Sequence, residues 1–442
     1  MRFKRKISQI TVSSFLWLLS ISAAVPNLRA FSPFEKSLPQ KKVLENGLTV
    51  IWQKDESSAV TVVQIFIKGG QRAEPDGKQG LSYLTTRLTL EIPDQGKIQD
   101  LMGQSSRFFM SSKGDFSIVD LECLSPNLED ALKVITAIML DPLFSGIRID
   151  TIKKFMLHKG KAEEDDSVIC GHKAALNAFF GNAGYGGSVY GNEQTLKAIK
   201  NKDISAFYET YFKANNIVLS VCSDLDEQKL MPILQKYFSK FKAGREPELP
   251  SQISSPPAQK EIFLEKDTKQ TFVSFAFLLP KLSAKNYALA YLMENLLGKG
   301  FGSKLWFLRS EEKLAYNVNA QATQMNEGGI LEAYLETDAA KKDRACDALK
   351  KALQEIYEKS ITEEELQATK AYSKAEFLRA NETKETRARN FGFFEVLGLG
   401  SEFGSLLFSE LDSISLQEIN SYIKDRLILD KAIQIVVGPK VL

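Results

Sequence analysis

Residues 44–50 read Leu44-Glu45-Asn46-Gly47-Leu48-Thr49-Val50, and they open the pattern that decides the fold. An alternating apolar run from Val60 to Ile67 follows, and such a run is typical of a strand with one face covered. It leads to Gly69-Gly70, and the chain then passes through Glu74-Pro75 to Gly80-Leu81. The sequence therefore predicts a strand and a glycine turn shortly before residue 80.

The next nine residues read Gly80-Leu81-Ser82-Tyr83-Leu84-Thr85-Thr86-Arg87-Leu88. Together with the segments before it, this stretch resembles the opening of the insulinase/pitrilysin-type metallopeptidases, the inverzincins. In that family the helix after the Gly-Leu pair carries H-x-x-E-H, whose two imidazoles bind zinc while the Glu activates the bound water. The three positions are Tyr83, Thr86 and Arg87 here, so the resemblance is to a member with a degenerate zinc motif.

Metal chemistry argues against zinc at these positions, because zinc binds imidazole, thiolate or carboxylate and a guanidinium repels it. The family takes a third ligand from a Glu roughly 75 residues downstream, which falls near Glu163-Glu164 in this chain. The chain has two histidines, His158 and His172, and neither has a partner at the spacing of a helical zinc pair. We therefore expect this chain to bind no cofactor of its own.

The chain contains the same order of elements twice, at a shift of roughly 215 residues. In each half a strand leads into a helix, and a later helix leads into a second strand. The pairs are Phe116–Leu124 with Ile330–Glu336, Asp130-Ala131-Leu132 with Asp347-Ala348-Leu349, Asp203–Lys213 with the helix opened by Ser415, and 217–222 with 432–437. The repeat predicts an α+β fold of two homologous domains, each a mixed β-sheet packed against helices, and the resemblance implies the same half-clamshell.

Glycine, proline and serine interrupt every periodic pattern between Ala243 and Lys260, which indicates a linker. The predicted domains are residues 31–242, with the degenerate zinc motif, and residues 261–442. A chain of 442 residues with 44% hydrophobic content can bury two sizeable cores.

The first 30 residues have the composition of a secretory signal peptide. Arg2, Lys4, Arg5 and Lys6 precede an apolar run around residues 12–25 that is short for a membrane span. Cleavage after Ala24 or Ala30 would release a periplasmic protein, and an uncleaved membrane anchor is the alternative. Removal of residues 1–30 takes away five basic and no acidic residues, so the formal charge of +2 becomes −3, which does not favour nucleic acid as a partner.

The four cysteines, Cys123, Cys170, Cys222 and Cys346, are widely spaced and form no zinc-knuckle or disulfide-rich pattern. Cys123 and Cys222 each end an apolar strand-like run, so a bridge between them stays open if the two strands adjoin. Buried free thiols are the favoured prediction.

The second half contains a different part of the family pattern, within residues 302–316. This segment is similar to the family's segment in which an Arg and a Tyr, seven residues apart, reach into the active site of the other half. Arg309 and Tyr316 have that spacing. An Arg presents several donors to a peptide carbonyl or carboxylate, and a tyrosine hydroxyl can donate to the oxyanion of acyl transfer.

In two-chain members of the family, one chain carries the zinc motif and the other only the Arg/Tyr pair. The resemblance therefore implies an accessory subunit of a heterodimeric zinc endopeptidase, which binds unfolded peptide and orients it against the zinc of a homologous partner. Two other functions stay open. One is a non-enzymatic scaffold or peptide-binding homologue, and the other is a zinc enzyme with unrecognised ligands.

Overall fold

The structure is a computed structural model that describes residues 38–91, 106–252, 254–255, 257 and 259–440. The predicted signal peptide lies outside the described residues. The described part of the chain forms one compact unit, so the boundaries assigned to the two domains stay a prediction. Within it, no helix is both long and apolar enough to cross a bilayer.

The first half builds a six-stranded mixed sheet with the order β1-β2-β6-β3-β5-β4. Its strands are β1 Gln40–Val43, β2 Thr49–Lys54, β3 Val60–Lys68, β4 Arg107–Ser112, β5 Phe116–Leu124 and β6 Ile217–Ser223. Strands β2 and β6 are parallel, and every other adjacent pair is antiparallel. The central strand β3 is buried along almost its whole length, which is why its pattern is nearly continuously apolar.

The second half repeats this arrangement with the order β7-β11-β8-β10-β9. Its strands are β7 Glu261–Glu265, β8 Gln270–Leu279, β9 Ala315–Met325, β10 Gly328–Asp338 and β11 Ile433–Gly438. Here β7 and β11 are the parallel pair, as β2 and β6 are in the first sheet. The predicted α+β fold with a duplicated mixed-sheet unit is therefore confirmed.

Helices cover both sheets. Those of the first half are α1 Leu81–Leu88, α2 Leu128–Leu140, α3 Gly146–Glu164, α4 Ser167–Phe180, α5 Glu193–Ala198, α6 Asn201–Tyr211 and α7 Glu227–Phe238. Those of the second half are α8 Ala284–Gly298, α9 Phe307–Ser310, α10 Lys342–Lys359, α11 Glu363–Ala380, α12 Lys384–Val396, α13 Phe403–Ser413 and α14 Leu416–Arg426. Thr362 starts α11 with a complete capping box, and the Ser415 side chain accepts from the Glu418 N–H at the start of α14.

The two halves exchange one helix each. Helix α4 of the first half packs on β8 and β11 of the second sheet, while α12 of the second half packs on β3 and β6 of the first sheet. Gly171 of α4 lies against the ring of Phe272, and Gly392 of α12 lies against the ring of Phe66. Both helices approach the foreign sheet so closely that a Cβ at either glycine would overlap the aromatic ring.

Gly171→Ala and Gly392→Ala should each lower the free energy of unfolding by about 1–3 kcal/mol, because overpacking outweighs the better helix propensity of alanine. Gly160→Ala in α3 is the matched control, since its Cβ would meet its nearest neighbour at an ordinary 3.8 Å. The control should be stabilised, by up to about 1 kcal/mol. Urea denaturation of the three variants measures the difference, and equal stabilisation of all three would contradict the close packing.

Each exchanged helix also faces an acid on the other half's sheet. His172 Nδ1 of α4 lies 2.5 Å from Glu332 Oε2 of β10, and Arg389 Nη2 of α12 lies 3.7 Å from Asp120 Oδ1 of β5. Burial raises the pKa of Asp120 to about 7, and the positive charge of Arg389 opposes that rise. His172 is therefore part of the packing between the halves, as expected for a histidine without a second ligand pair.

The four cysteines are free thiols, and Cys123 and Cys222 are buried. Strand β3 lies between the strands that carry them, with Thr61 opposite Cys123 and Val62 opposite Cys222. The alternative of a bridge between these two cysteines was therefore wrong, because their strands do not adjoin.

Candidate functional site

Helix α1 carries the degenerate zinc motif, and a buried carboxyl fixes its first turn. Glu74 Oε1 accepts hydrogen bonds from the N–H groups of Gly80, at 3.2 Å, and Ser82, at 2.8 Å. The side chain is fully enclosed, and burial raises the pKa of Glu74 to about 8 although these two N–H groups favour its charged form. Gly80 has a φ of 97°, so the turn into the helix suits glycine.

The three positions of the motif have separate structural roles. The Tyr83 ring is buried and packs edge-on against Tyr190 at 4.8 Å between centroids. Thr86 is fully buried, and its hydroxyl has no hydrogen-bond partner in the described part of the chain. Arg87 is half-exposed and forms an ion pair of 2.8 Å with Glu91, one turn further along.

The predicted third position also has a partner of its own. Glu163, near the end of α3, forms an ion pair of 2.5 Å with Lys173 of α4. The pKa of Tyr83 is raised mainly by burial, and the negative charge of Glu163 raises it further. The residue counted as an acidic remnant therefore does face the motif, but a lysine balances its charge.

A zinc ion does not fit these residues. A phenol, a buried threonine hydroxyl and a guanidinium occupy the ligand and base positions, and the carboxylates of Glu91 and Glu163 are paired with Arg87 and Lys173. Across residues 38–91, 106–252 and the described residues beyond them, no three His, Cys, Asp or Glu side chains gather in a group that could hold a metal.

Arg309 and Tyr316 lie in the second half and contact each other. Arg309 is the third of the four residues of α9, and Tyr316 is the second residue of β9, an edge strand of the second sheet. The guanidinium carbon of Arg309 lies 4.8 Å from the Trp306 ring centroid and 5.0 Å from that of Tyr316. Tyr316 is 77% exposed although it is a large aromatic residue in a strand.

These two residues line a cavity of about 330 Å³ at the edge of the second sheet. Within the described chain, no hydrogen bond, ion pair or ring contact joins Arg309 or Tyr316 to Tyr83, Thr86 or Arg87. The structure thus brings the Arg/Tyr pair together but does not combine it with the degenerate motif. The pair is presented to solvent, where a second molecule can reach it.

The sequence patterns did not identify Phe301, Trp306 and Lys313 as part of the surroundings of this pair. Phe301 is 84% exposed and packs edge-on against Trp306 at 5.0 Å, so it extends the aromatic surface around Arg309. Lys313 lines the same cavity, and its backbone has a φ of 53°, a conformation that residues other than glycine and asparagine rarely adopt. The residue types alone do not indicate that this lysine has a left-handed backbone conformation.

Comparisons with known proteins agree with this fold. Residues 198–372, which include Arg309 and Tyr316, match the family described as Peptidase M16 inactive domain. The chain is 24% identical over 395 residues to the non-peptidase homolog YmxG of Helicobacter pylori, covering 88% of this chain and 91% of that protein. It is 23% identical over 440 residues to the zinc protease PqqE of the same organism, covering 93% and 95%.

A solved structure gives the fold. The peptidase M16 inactive domain from Pseudomonas fluorescens superposes with a TM-score of 0.82 at 19% identity, covering 92% of this chain and 98% of that one. The resemblance to the insulinase/pitrilysin-type metallopeptidases is therefore confirmed: residues 198–372 match the M16 inactive-domain family, and the chain has the fold of the solved M16 inactive domain. Helix α1 of this chain contains no His, Cys, Asp or Glu, so it carries no side chain of the types that bind zinc.

Proposed function

We propose that this chain is the non-zinc-binding subunit of a two-chain zinc endopeptidase. It binds an unfolded peptide through Arg309 and Tyr316 and orients the peptide against a zinc ion held by a homologous partner subunit. We further propose that it works in the periplasm, on the basis of the basic and apolar composition of residues 1–30.

The observation that carries the proposal is the presentation of the Arg/Tyr pair. Two aromatic rings hold the guanidinium of Arg309, and no hydrogen-bond acceptor or carboxylate pairs with it in the described chain. Such a group is positioned for a peptide carbonyl or carboxylate, and the exposed hydroxyl of Tyr316 beside it can donate to a developing oxyanion. The same chain has no metal ligands on α1, so the water-activating metal has to come from another polypeptide.

The relatives support a partner of the same family. Helicobacter pylori has both a non-peptidase homolog and a zinc protease that resemble this chain over most of its length. One organism therefore contains two proteins of this fold, one named for lack of peptidase activity and one for zinc.

Co-expression tests the pairing. A tagged form of this chain, produced with an H-x-x-E-H homologue from its own genome, should retain that homologue in a roughly one-to-one complex. Because this chain has a mass of 49.4 kDa, a pair of similar chains should have a mass of about 100 kDa. Peptide cleavage should require both chains. If this chain elutes alone or only with copies of itself, the heterodimer is wrong, and a complex that cleaves nothing would favour the scaffold function.

A further inference from the structure

We propose that Lys313 and Arg309 form a carboxylate-binding subsite beside Tyr316, which makes this chain select peptides that carry an acidic side chain or a free C-terminal carboxylate at that position. This inference rests on the proposed function and specifies its substrate class. The roles of Arg309 and Tyr316 come from the family resemblance, whereas that of Lys313 comes from the geometry of this chain.

Arg309 provides the planar half of the subsite. Trp306 and Tyr316 cover the guanidinium at 4.8 Å and 5.0 Å, so the plane of the group is held while its N–H donors have no acceptor within the described residues. A carboxylate is the ligand that matches two parallel N–H donors in one plane.

Lys313 provides a second cation at a conformational cost. It lies in the turn between α9 and β9 with a φ of 53°, where glycine or asparagine would be unstrained. Strained residues of this kind concentrate at binding sites. Lys313 lines the cavity that Arg309 also lines.

The cavity is lined by three cations and two acids, so its net charge is +1. Lys341 lines the cavity too, but Asp338 balances it at 3.0 Å. Glu336 is the remaining acid, and its Oε2 accepts a hydrogen bond of 2.9 Å from the Asn317 amide, which holds it against the strand. Neither Arg309 nor Lys313 has a carboxylate within ion-pair distance in the described chain, so a negatively charged ligand meets two cations that have no ion-pair partner of their own.

Calorimetry with three peptides on the full chain tests the subsite. The peptides share a neutral sequence of roughly ten residues, an extended length of about 33 Å. One has an amidated C terminus, the second has a central Glu and an amidated C terminus, and the third is the neutral sequence with a free carboxylate. At low salt, one of the two acidic peptides should bind about fivefold more tightly than the neutral one, and that peptide identifies the source of the carboxylate.

Lys313→Gly should abolish this preference, so that the acidic and neutral peptides bind to the variant with equal affinity. Its melting temperature should equal or exceed that of the parent, which shows that the turn still folds. Lys341→Gln is the matched control, because Asp338 already balances this cation, and it should keep the preference.

Two results would overturn the subsite and leave the proposed function standing. These are equal binding of all three peptides with a loss of affinity in Arg309→Ala, or a preference that survives Lys313→Gly. Failure of the chain to bind any peptide, or binding that Arg309→Ala does not weaken, would overturn the proposed function and the subsite together.

Discussion

Arg72→Ala is expected to lower the free energy of unfolding by about 3–5 kcal/mol, which is the effect of leaving a buried charge without its partner. Arg72 follows β3 and is 8% exposed. Its Nη1 lies 3.4 Å from Asp115 Oδ1, its Nη2 lies 3.1 Å from Glu327 Oε1, and its Nε donates to the Pro250 carbonyl at 2.6 Å. One side chain thus joins the first half, the predicted linker and the second half.

The acid beside it has other partners that keep it in place after the substitution. Asp115 accepts hydrogen bonds from the Tyr185 hydroxyl at 2.6 Å and from the Asn326 N–H at 3.0 Å. Burial raises the pKa of Asp115, and Arg72 opposes that rise. Loss of the guanidinium should therefore raise this pKa further.

The loss of free energy of unfolding in Arg72→Ala should depend on pH, because the substitution raises the pKa of Asp115. An acid whose pKa is higher in the folded state stabilises the fold below its unfolded pKa, and this contribution is lost as the pH rises through the folded pKa. The deficit of Arg72→Ala should therefore be smaller near about pH 5 than near about pH 8. Urea denaturation at the two values measures it.

Arg245→Ala is the control for this experiment. Arg245 pairs with Glu248 at 3.5 Å, but both side chains are about nine-tenths exposed, so its loss should change stability by less than about 0.5 kcal/mol. A deficit in Arg72→Ala no larger than that of the control would mean that the buried network does not hold the halves together.

Tyr316→Phe is expected to reduce turnover of the proposed two-chain enzyme by about 100-fold to 1,000-fold, the effect of one lost oxyanion donor. The phenyl ring keeps its contact with Arg309, and the position is 77% exposed, so stability and pairing should not change. Arg309→Ala should weaken peptide binding as well and thus raise KM. Steady-state cleavage of an unfolded peptide by the reconstituted pair measures both effects.

Arg344→Ala is a suitable control in the same half. Arg344 is exposed and pairs at 2.7 Å with Glu312, which lies between Arg309 and Tyr316 in the chain, so the variant loses an arginine near the segment without losing a group that we place in the site. Its turnover should match that of the unmodified pair. Unchanged turnover in Tyr316→Phe and Arg309→Ala would contradict the role of the second half in hydrolysis.

Local patterns in the sequence predicted much of the fold, because strands, caps and repeats are encoded by neighbouring residues. The apolar run of β3 and the helix start at Ser415 lie where their residue types place them. The spacing of Arg309 and Tyr316 was also visible, since a short helix and one turn bring residues seven apart into contact.

Features that depend on distant residues could not be predicted. From the sequence, Gly171 and Gly392 are only residues of low helix propensity within two helices. The structure shows that each lies against a phenylalanine ring of the other half. Arg72 meets Glu327 across most of the chain, and no local signal links them. The positive φ of Lys313 depends on how the chain turns from α9 into β9, and lysine is not a residue type that marks such a turn.

The zinc content of the purified proteins shows whether this chain binds the metal itself or depends on a partner for it. Because Tyr83, Thr86 and Arg87 offer no ligand set on α1, the chain alone should contain no stoichiometric zinc. The complex with its H-x-x-E-H partner should contain one zinc per pair, and chelation should abolish cleavage by the pair. One tightly bound zinc per isolated chain, together with chelator-sensitive proteolysis by that chain alone, would contradict the account.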